Sequence, residues 1–276
     1  MSVSEILTVR AIYIVPSDRQ PWPVIQAKMT EVLEGIQSWL AHEMEQRGYA
    51  KLTFNIARDS HGLLNLQTIH ADYSASQFPT KGADIAEFSK KIAEKEGLRS
   101  QKGGDTVIYF LEICEFDSQT GECTGSTTRG GVFKGRRECF VGAGHFKMAR
   151  KEWFRSKEPY AGMTVPELHD EPLREAAFRD KNCGIPKDRP YSLGELSGKN
   201  YGAIAHELGH AFGLKHAFAR AEGNDRNRKG YLMLNGFRGM QGYFASDVTD
   251  DFCHLSSCSA KYLFNNQLLS PLSEAT

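Results

Sequence analysis

Five residues in one short stretch have types and spacing that do chemistry together: His206, Glu207, His210, Gly213 and His216. On an α-helix, residues four apart lie nearly above one another, so His206 and His210 offer two imidazoles to one small cation. Glu207 sits beside them and is turned aside. That makes it a poor third ligand but places it well to reach a water on the metal. At Gly213 the chain can leave the helix, because glycine accepts a left-handed backbone at little cost. The turn would swing His216 back as the third ligand. Three neutral imidazoles with one open position make a catalytic rather than a structural zinc site. The bland alternative is a coincidence of core histidines. At roughly one-in-twenty odds per letter, a chain of this length produces the pattern by accident about once in ten thousand tries.

His206, Glu207, His210, Gly213 and His216 resemble the long zinc motif of the metzincin metallopeptidases, H-E-x-x-H-x-x-G-x-x-H. The resemblance implies a methionine-containing turn below the zinc, downstream of the third histidine. Met233 is the candidate, in Gly230-Tyr231-Leu232-Met233-Leu234-Asn235-Gly236, where glycines flank the turn. Met240 is the second candidate, and ordinary core filling is the alternative reading of Met233. The residue after the third histidine tends to separate the subfamilies: Glu in astacins, Asp in adamalysins, Ser in matrixins, Pro in serralysins. Here it is Ala217, and the run from Gly213 to Phe218 is slightly closer to pappalysin-like sequences. Asn235 stands two residues after Met233, so the zinc-reaching tyrosine of astacins is not evident. The resemblance carries the clan without a subfamily.

The elements that must position these residues are legible upstream. Residues 7–15 are rich in β-formers and read as a strand. From Val24 to Arg47 apolar residues recur at three- and four-residue spacing, which predicts a long amphipathic helix ended by Gly48. Residues 51–56 and 62–70 read as two strands around a turn at Asp59–Gly62, and a shorter helix follows at 83–96, ended by Gly97. The near-continuous apolar run 105–113 predicts a central strand buried on both faces. Residues 118–131 read as an exposed loop, 131–144 as one or two strands beside it, 150–157 and 170–180 as charged helical pieces, and 201–213 as the metal-bearing helix.

This order matches what the resemblance implies: an α+β, metzincin-like catalytic domain. It would have a twisted mixed sheet, long helices above the cleft and a small irregular lower subdomain. The whole of 1–276 is expected to be one catalytic domain, with an upper part over 1–216 and a lower part over 217–276 that holds the Met-turn and a helix near 257–266.

Lys plus Arg equals Asp plus Glu at 34 each, which gives no support to nucleic-acid binding or to a polybasic membrane anchor. No apolar run approaches a membrane span, and no signal peptide is visible. A monomer is expected. The six cysteines are Cys114, Cys123, Cys139, Cys183, Cys253 and Cys258, none in metal-type C-x-x-C spacing. Their even number suggests the bridges 114–123, 253–258 and 139–183, with at least two formed. An oxidising compartment, and hence secretion, would follow. Six reduced thiols are the alternative.

Weaker signals remain. Cys183-Gly184-Ile185-Pro186 resembles the cysteine switch of matrixin propeptides, with a disulfide or a plain loop as the alternative. Asp247, Asp250 and Asp251, or Glu222, Asn224 and Asp225, are candidate Ca²⁺ ligands, although loop carboxylates are more often solvated. Tyr231 or Tyr243 would serve as an oxyanion donor, against simple packing. His42, His61, His70, His145, His169 and His254 fall in no ligand spacing.

The expectation is a zinc-dependent endopeptidase that hydrolyses a protein or peptide substrate through a zinc-bound water activated by Glu207. The substrate would add to an edge strand within 131–144. The alternatives are a zinc hydrolase of a non-peptide amide or ester, and a catalytically silent zinc-containing binding module.

Overall fold

The computed structural model describes residues 6–79, 82–100, 102, 104–113, 115–117, 122–124, 128–159, 192–220, 230–234, 236–249 and 252–272. The chain opens with strand β1 (Thr8–Val15), helix α1 (Ile25–Gln46) and short strands β2 (Leu52–Thr53), β3 (Asn55–Ile56) and β4 (Leu66–His70). Helix α2 (Gly82–Lys95) leads to β5 (Thr106–Leu111), the hairpin β6 (Glu115–Asp117) and β7 (Glu122–Thr124), then β8 (Thr128–Phe133), β9 (Arg136–Gly142) and α3 (Ala143–Met148). Helix α4 (Leu193–Ala211) precedes α5 (His216–Arg220), β10 (Gly230–Tyr231), α6 (Gln241–Phe244), β11 (Cys253–His254), α7 (Ser257–Asn265) and β12 (Ser270–Pro271).

The fold is α+β around a mixed sheet ordered β3-β1-β5-β9-β8, with β4 continuing along the β3 edge of β1. β3, β4 and β5 run parallel to β1, and β9 runs parallel to β5. β8 closes the far edge antiparallel to β9. β5 is buried at all six positions, as its continuous apolar run predicts for a strand covered on both faces.

Strand alternation divides the core in two. Val9, Ala11, Tyr13 and Val15 join Ile108, Phe110, Cys139 and Val141 against α1 and α4, whereas Ile12, Ile14, Val107, Tyr109, Leu111 and Phe140 face α2. α1 keeps Ile25, Met29, Val32, Leu33, Ile36, Trp39, Leu40 and Met44 buried on one stripe, and the chain turns away through Gly48 at φ +83°. The same helix grips the C-terminal segment: Trp39 Nε1 donates to the Cys253 carbonyl at 3.0 Å, and the Leu255 amide donates to Glu43 at 2.7 Å.

Several expectations change. The strands expected over 51–56 and 62–70 are present but shorter: β2 pairs with β12, β3 and β4 lie alongside β1, and the two segments meet at the bridge Arg58–Leu64. Part of the expected exposed loop at 118–131 is strand, because β7 pairs with β6 and β8 begins at Thr128. The edge strand is therefore 128–133, while 136–142 is interior. The helix expected at 201–213 begins at Leu193, eight residues earlier. Its first turns carry Gly194 and Gly198 at the interface with Gln241, where larger side chains would not fit. Only Lys151–Trp153 of the expected helix at 150–157 is helical, as one 3₁₀ turn, and 170–180 lies outside the described residues.

The disulfide expectation is corrected at two pairs. Cys139 and Cys253 are reduced and fully within the core. Cys139 lies on the inner face of interior strand β9. Cys253 points inward from β11, whereas Cys258 sits on the exposed face of α7. Neither the 139–183 nor the 253–258 bridge is formed. Cys114 and Cys183, and the side chain of Cys123, lie outside the described residues. Among the described residues, no helix is long and apolar enough to cross a membrane.

Candidate metal centre

α4 is built to carry the site at its C-terminal end. Its N-terminus is closed by a capping box: the Glu195 amide donates to Ser192 Oγ at 3.2 Å, and the Ser192 amide donates to Glu195 Oε2 at 2.8 Å. The helix ends where Gly213 adopts φ +93°. Its amide donates to the His210 carbonyl at 3.0 Å, and the Leu214 amide to the Gly209 carbonyl at 2.9 Å. A side chain at Gly213 would also meet Tyr262, since an added Cβ would stand 2.6 Å from its hydroxyl. The reversed chain presents His216 at the start of α5.

The three histidines converge as their spacing predicts. His210 Nε2 lies 3.1 Å from His216 Nε2, which lies 3.3 Å from His206 Nε2. Among the described residues, this is the one group of three or more ligand-type side chains close enough to share an ion. His206 Nδ1 is 2.6 Å from the Leu232 carbonyl, and His210 Nδ1 is 3.0 Å from the Leu214 carbonyl. A carbonyl oxygen only accepts, so both Nδ1 atoms carry the proton and both Nε2 atoms present lone pairs to the common centre.

A zinc ion fits this donor set. Lone pairs that converge without a cation repel, and a proton on His216 Nε2 would satisfy only one of the other two. Zinc–nitrogen bonds of about 2.0–2.1 Å in tetrahedral geometry put ligand nitrogens about 3.3 Å apart, which is the spacing found. Burial, reinforced by the neighbouring imidazoles, pushes His206 down to about 4, so it is neutral at pH 7 as ligation requires. The carbonyl anchors on Nδ1 are the usual outer support of a metal-binding imidazole.

The Glu207 side chain reaches the sheet edge. Thr128 Oγ1 donates to Glu207 Oε1 at 3.2 Å. Burial pushes its carboxyl above the usual range, opposed by His210, the Gly130 backbone, the Thr128 hydroxyl and Arg129. At Gly130 the strand lies directly on the helix backbone: an added Cβ would fall 1.8 Å from the Glu207 carbonyl oxygen.

Met233 is buried beneath α4, where an added Cβ on Gly209 would stand 2.8 Å from its sulfur. Its turn closes tightly, because a Cβ on Gly236 would lie 2.0 Å from the Gly230 carbonyl oxygen. Met240, the second candidate, is also buried and precedes α6. Tyr243 packs against the His42 ring on α1 at 5.4 Å, which supports its packing role. Tyr231 lies in β10. Asp247 pairs with Arg155 at the surface, while Asp250, Asp251, Glu222, Asn224, Asp225, Asn235, Cys183 and His169 lie outside the described residues. Thr128, Gly130, Leu232 and Tyr262 were not singled out by the sequence. Each reaches the centre through tertiary packing, and no local pattern marks it.

No protein-family model matches the chain, and no curated protein matches it. Solved structures do. A catalytically inactive OgpA from Akkermansia muciniphila, in complex with an O-glycopeptide (glycodrosocin) substrate, aligns with TM-score 0.55 at 18% identity, over 94% of this chain and 60% of that one. Two crystal forms of wild-type OgpA align with TM-scores of 0.55 and 0.52 at the same identity and coverage. The likeness is one of fold, and the chain spans 60% of the length of these structures.

Proposed function

We propose that the protein is a zinc-dependent endopeptidase in which His206, His210 and His216 hold the metal and Glu207 is the general base. The observation that carries this reading is the convergence of three Nε2 atoms within 3.3 Å of one another along the chain of contacts, with a half-buried carboxylate one residue from the first. Zinc bound there would supply Lewis-acid polarisation of a peptide carbonyl and acidify water. Glu207 would take a proton from the attacking water and return it to the leaving amine nitrogen, and its raised carboxyl suits both halves of that task. β8, which among the described residues has one edge unpaired in the sheet order, would align an extended peptide by main-chain hydrogen bonds. Met233 would floor the site. In this reading residues 1–216 form the upper part of one catalytic domain and 217–276 the lower.

The substrate is taken to be a protein or peptide. The O-glycopeptide in the similar OgpA structure makes a glycosylated peptide and its unglycosylated twin the natural first pair in a cleavage panel. Glu207→Ala is expected to keep zinc and fold while cleavage falls by about 10² to 10⁴. His206→Ala should lose zinc and cleavage together. Hydrolysis confined to non-peptide amides or esters would make the protein a different zinc hydrolase. No cleavage by the zinc-loaded wild type across the panel would leave a silent binding module.

A further inference from the structure

We infer that Thr128 is a positioning residue for Glu207, so that the base is aimed by the edge strand and not by its own helix; the inference rests on the peptidase reading above. Thr128 Oγ1 donates to Glu207 Oε1 at 3.2 Å across 79 residues of sequence. The hydroxyl is delivered by a fixed backbone, because Thr128 pairs with Val141 in the β8–β9 ladder. Two residues on, Gly130 rests against the Glu207 carbonyl with no room for a side chain. The strand is thus fastened to both the backbone and the side chain of one residue.

The chemistry explains why such a clamp matters. A glutamate base must turn one oxygen toward the water it deprotonates, yet its side chain has several rotamers on a helix surface. With Oε1 held by Thr128, the carboxylate plane is set and Oε2 is left to exchange the proton. Preorganisation of this kind acts on the rate step and leaves substrate binding largely unchanged. The hydroxyl belongs to the strand proposed to receive the peptide, so strand and base keep a fixed relation during the reaction.

The test compares Thr128→Val, which keeps the shape and loses the donor, with Thr128→Ser, which keeps the donor. Thr128→Val is expected to lower kcat about tenfold, the scale of one hydrogen bond to a charged group, with KM and zinc content unchanged; Thr128→Ser should restore most of the rate. A readout independent of activity comes from melting metal-free protein: the Tm shift caused by Thr128→Val should largely vanish in a Glu207→Ala background, since the partner is already gone. Wild-type kcat in Thr128→Val, or Tm shifts that simply add, would overturn the inference. If zinc-loaded wild type cleaves no peptide, the peptidase reading fails and the positioning role falls with it, while the melting cycle still decides whether the hydroxyl holds the carboxylate.

Discussion

The carbonyl oxygen of Leu232 lies 2.6 Å from Nδ1 of His206, 26 residues earlier in the chain. The Leu232 amide in turn donates to the His254 carbonyl at 2.7 Å. The imidazole is thereby oriented by the Met233 turn, and that turn is anchored to β11, which α1 holds through Trp39. The Nε2 that His206 turns toward His216 is set by backbone groups from the C-terminal part of the molecule.

Metal content follows directly. Purified protein is expected to carry about one zinc per chain, and His210→Ala to lose it, because two imidazoles hold zinc poorly. Zinc added to metal-free wild type should raise Tm, by about 2.7 kcal/mol of stability at a hundredfold excess over Kd, and should leave His210→Ala unmoved. Elemental analysis that finds no transition metal in native protein would end the zinc reading.

Gly130 and Gly131 provide a paired test of the strand–helix contact. A Cβ on Gly130 would meet Glu207 backbone at 1.8 Å, whereas one on Gly131 would meet only the Phe133 ring at 2.8 Å, a side chain able to swing. Gly130→Ala should therefore cost about 3 kcal/mol or more, at the upper end of overpacking, and cleavage should fall with it. Gly131→Ala should cost less than half as much. Denaturant melts with equal midpoints for the two variants would show that β8 does not press on α4.

Cys139 and Cys253 are predicted to be reduced and unreactive in the folded protein, since burial pushes both thiols well above their usual range. Thiol titration without reductant should find at least two additional reactive groups per chain once the protein is unfolded. Fewer than two thiols in the denatured, non-reduced protein would refute this core assignment.

The sequence by itself determined which histidines come together and which elements are locally periodic. Four-residue spacing puts His206 and His210 on one helix face, and a glycine at Gly213 permits the turn that returns His216. These are properties of a few adjacent backbone angles. The spans of α1, α2, β5 and α7 were legible for the same reason, with bounds within about two residues.

Tertiary structure decided what required distant partners. Gly194 and Gly198 carry no apolar signal, so the first two turns of α4 emerge only once Gln241 packs into the space they leave. Residues 128–131 look like the end of a loop because Gly130 and Gly131 weaken a strand pattern, yet pairing with β9 and the close seat on α4 make them part of the sheet edge. An even cysteine count does not reveal that Cys139 and Cys253 face the core. The hydrogen bonds that tie Glu207 to Thr128 and His206 to Leu232 join segments 79 and 26 residues apart. Such contacts are set by how the sheet edge and the Met233 turn pack against α4, and no spacing along the chain records that packing.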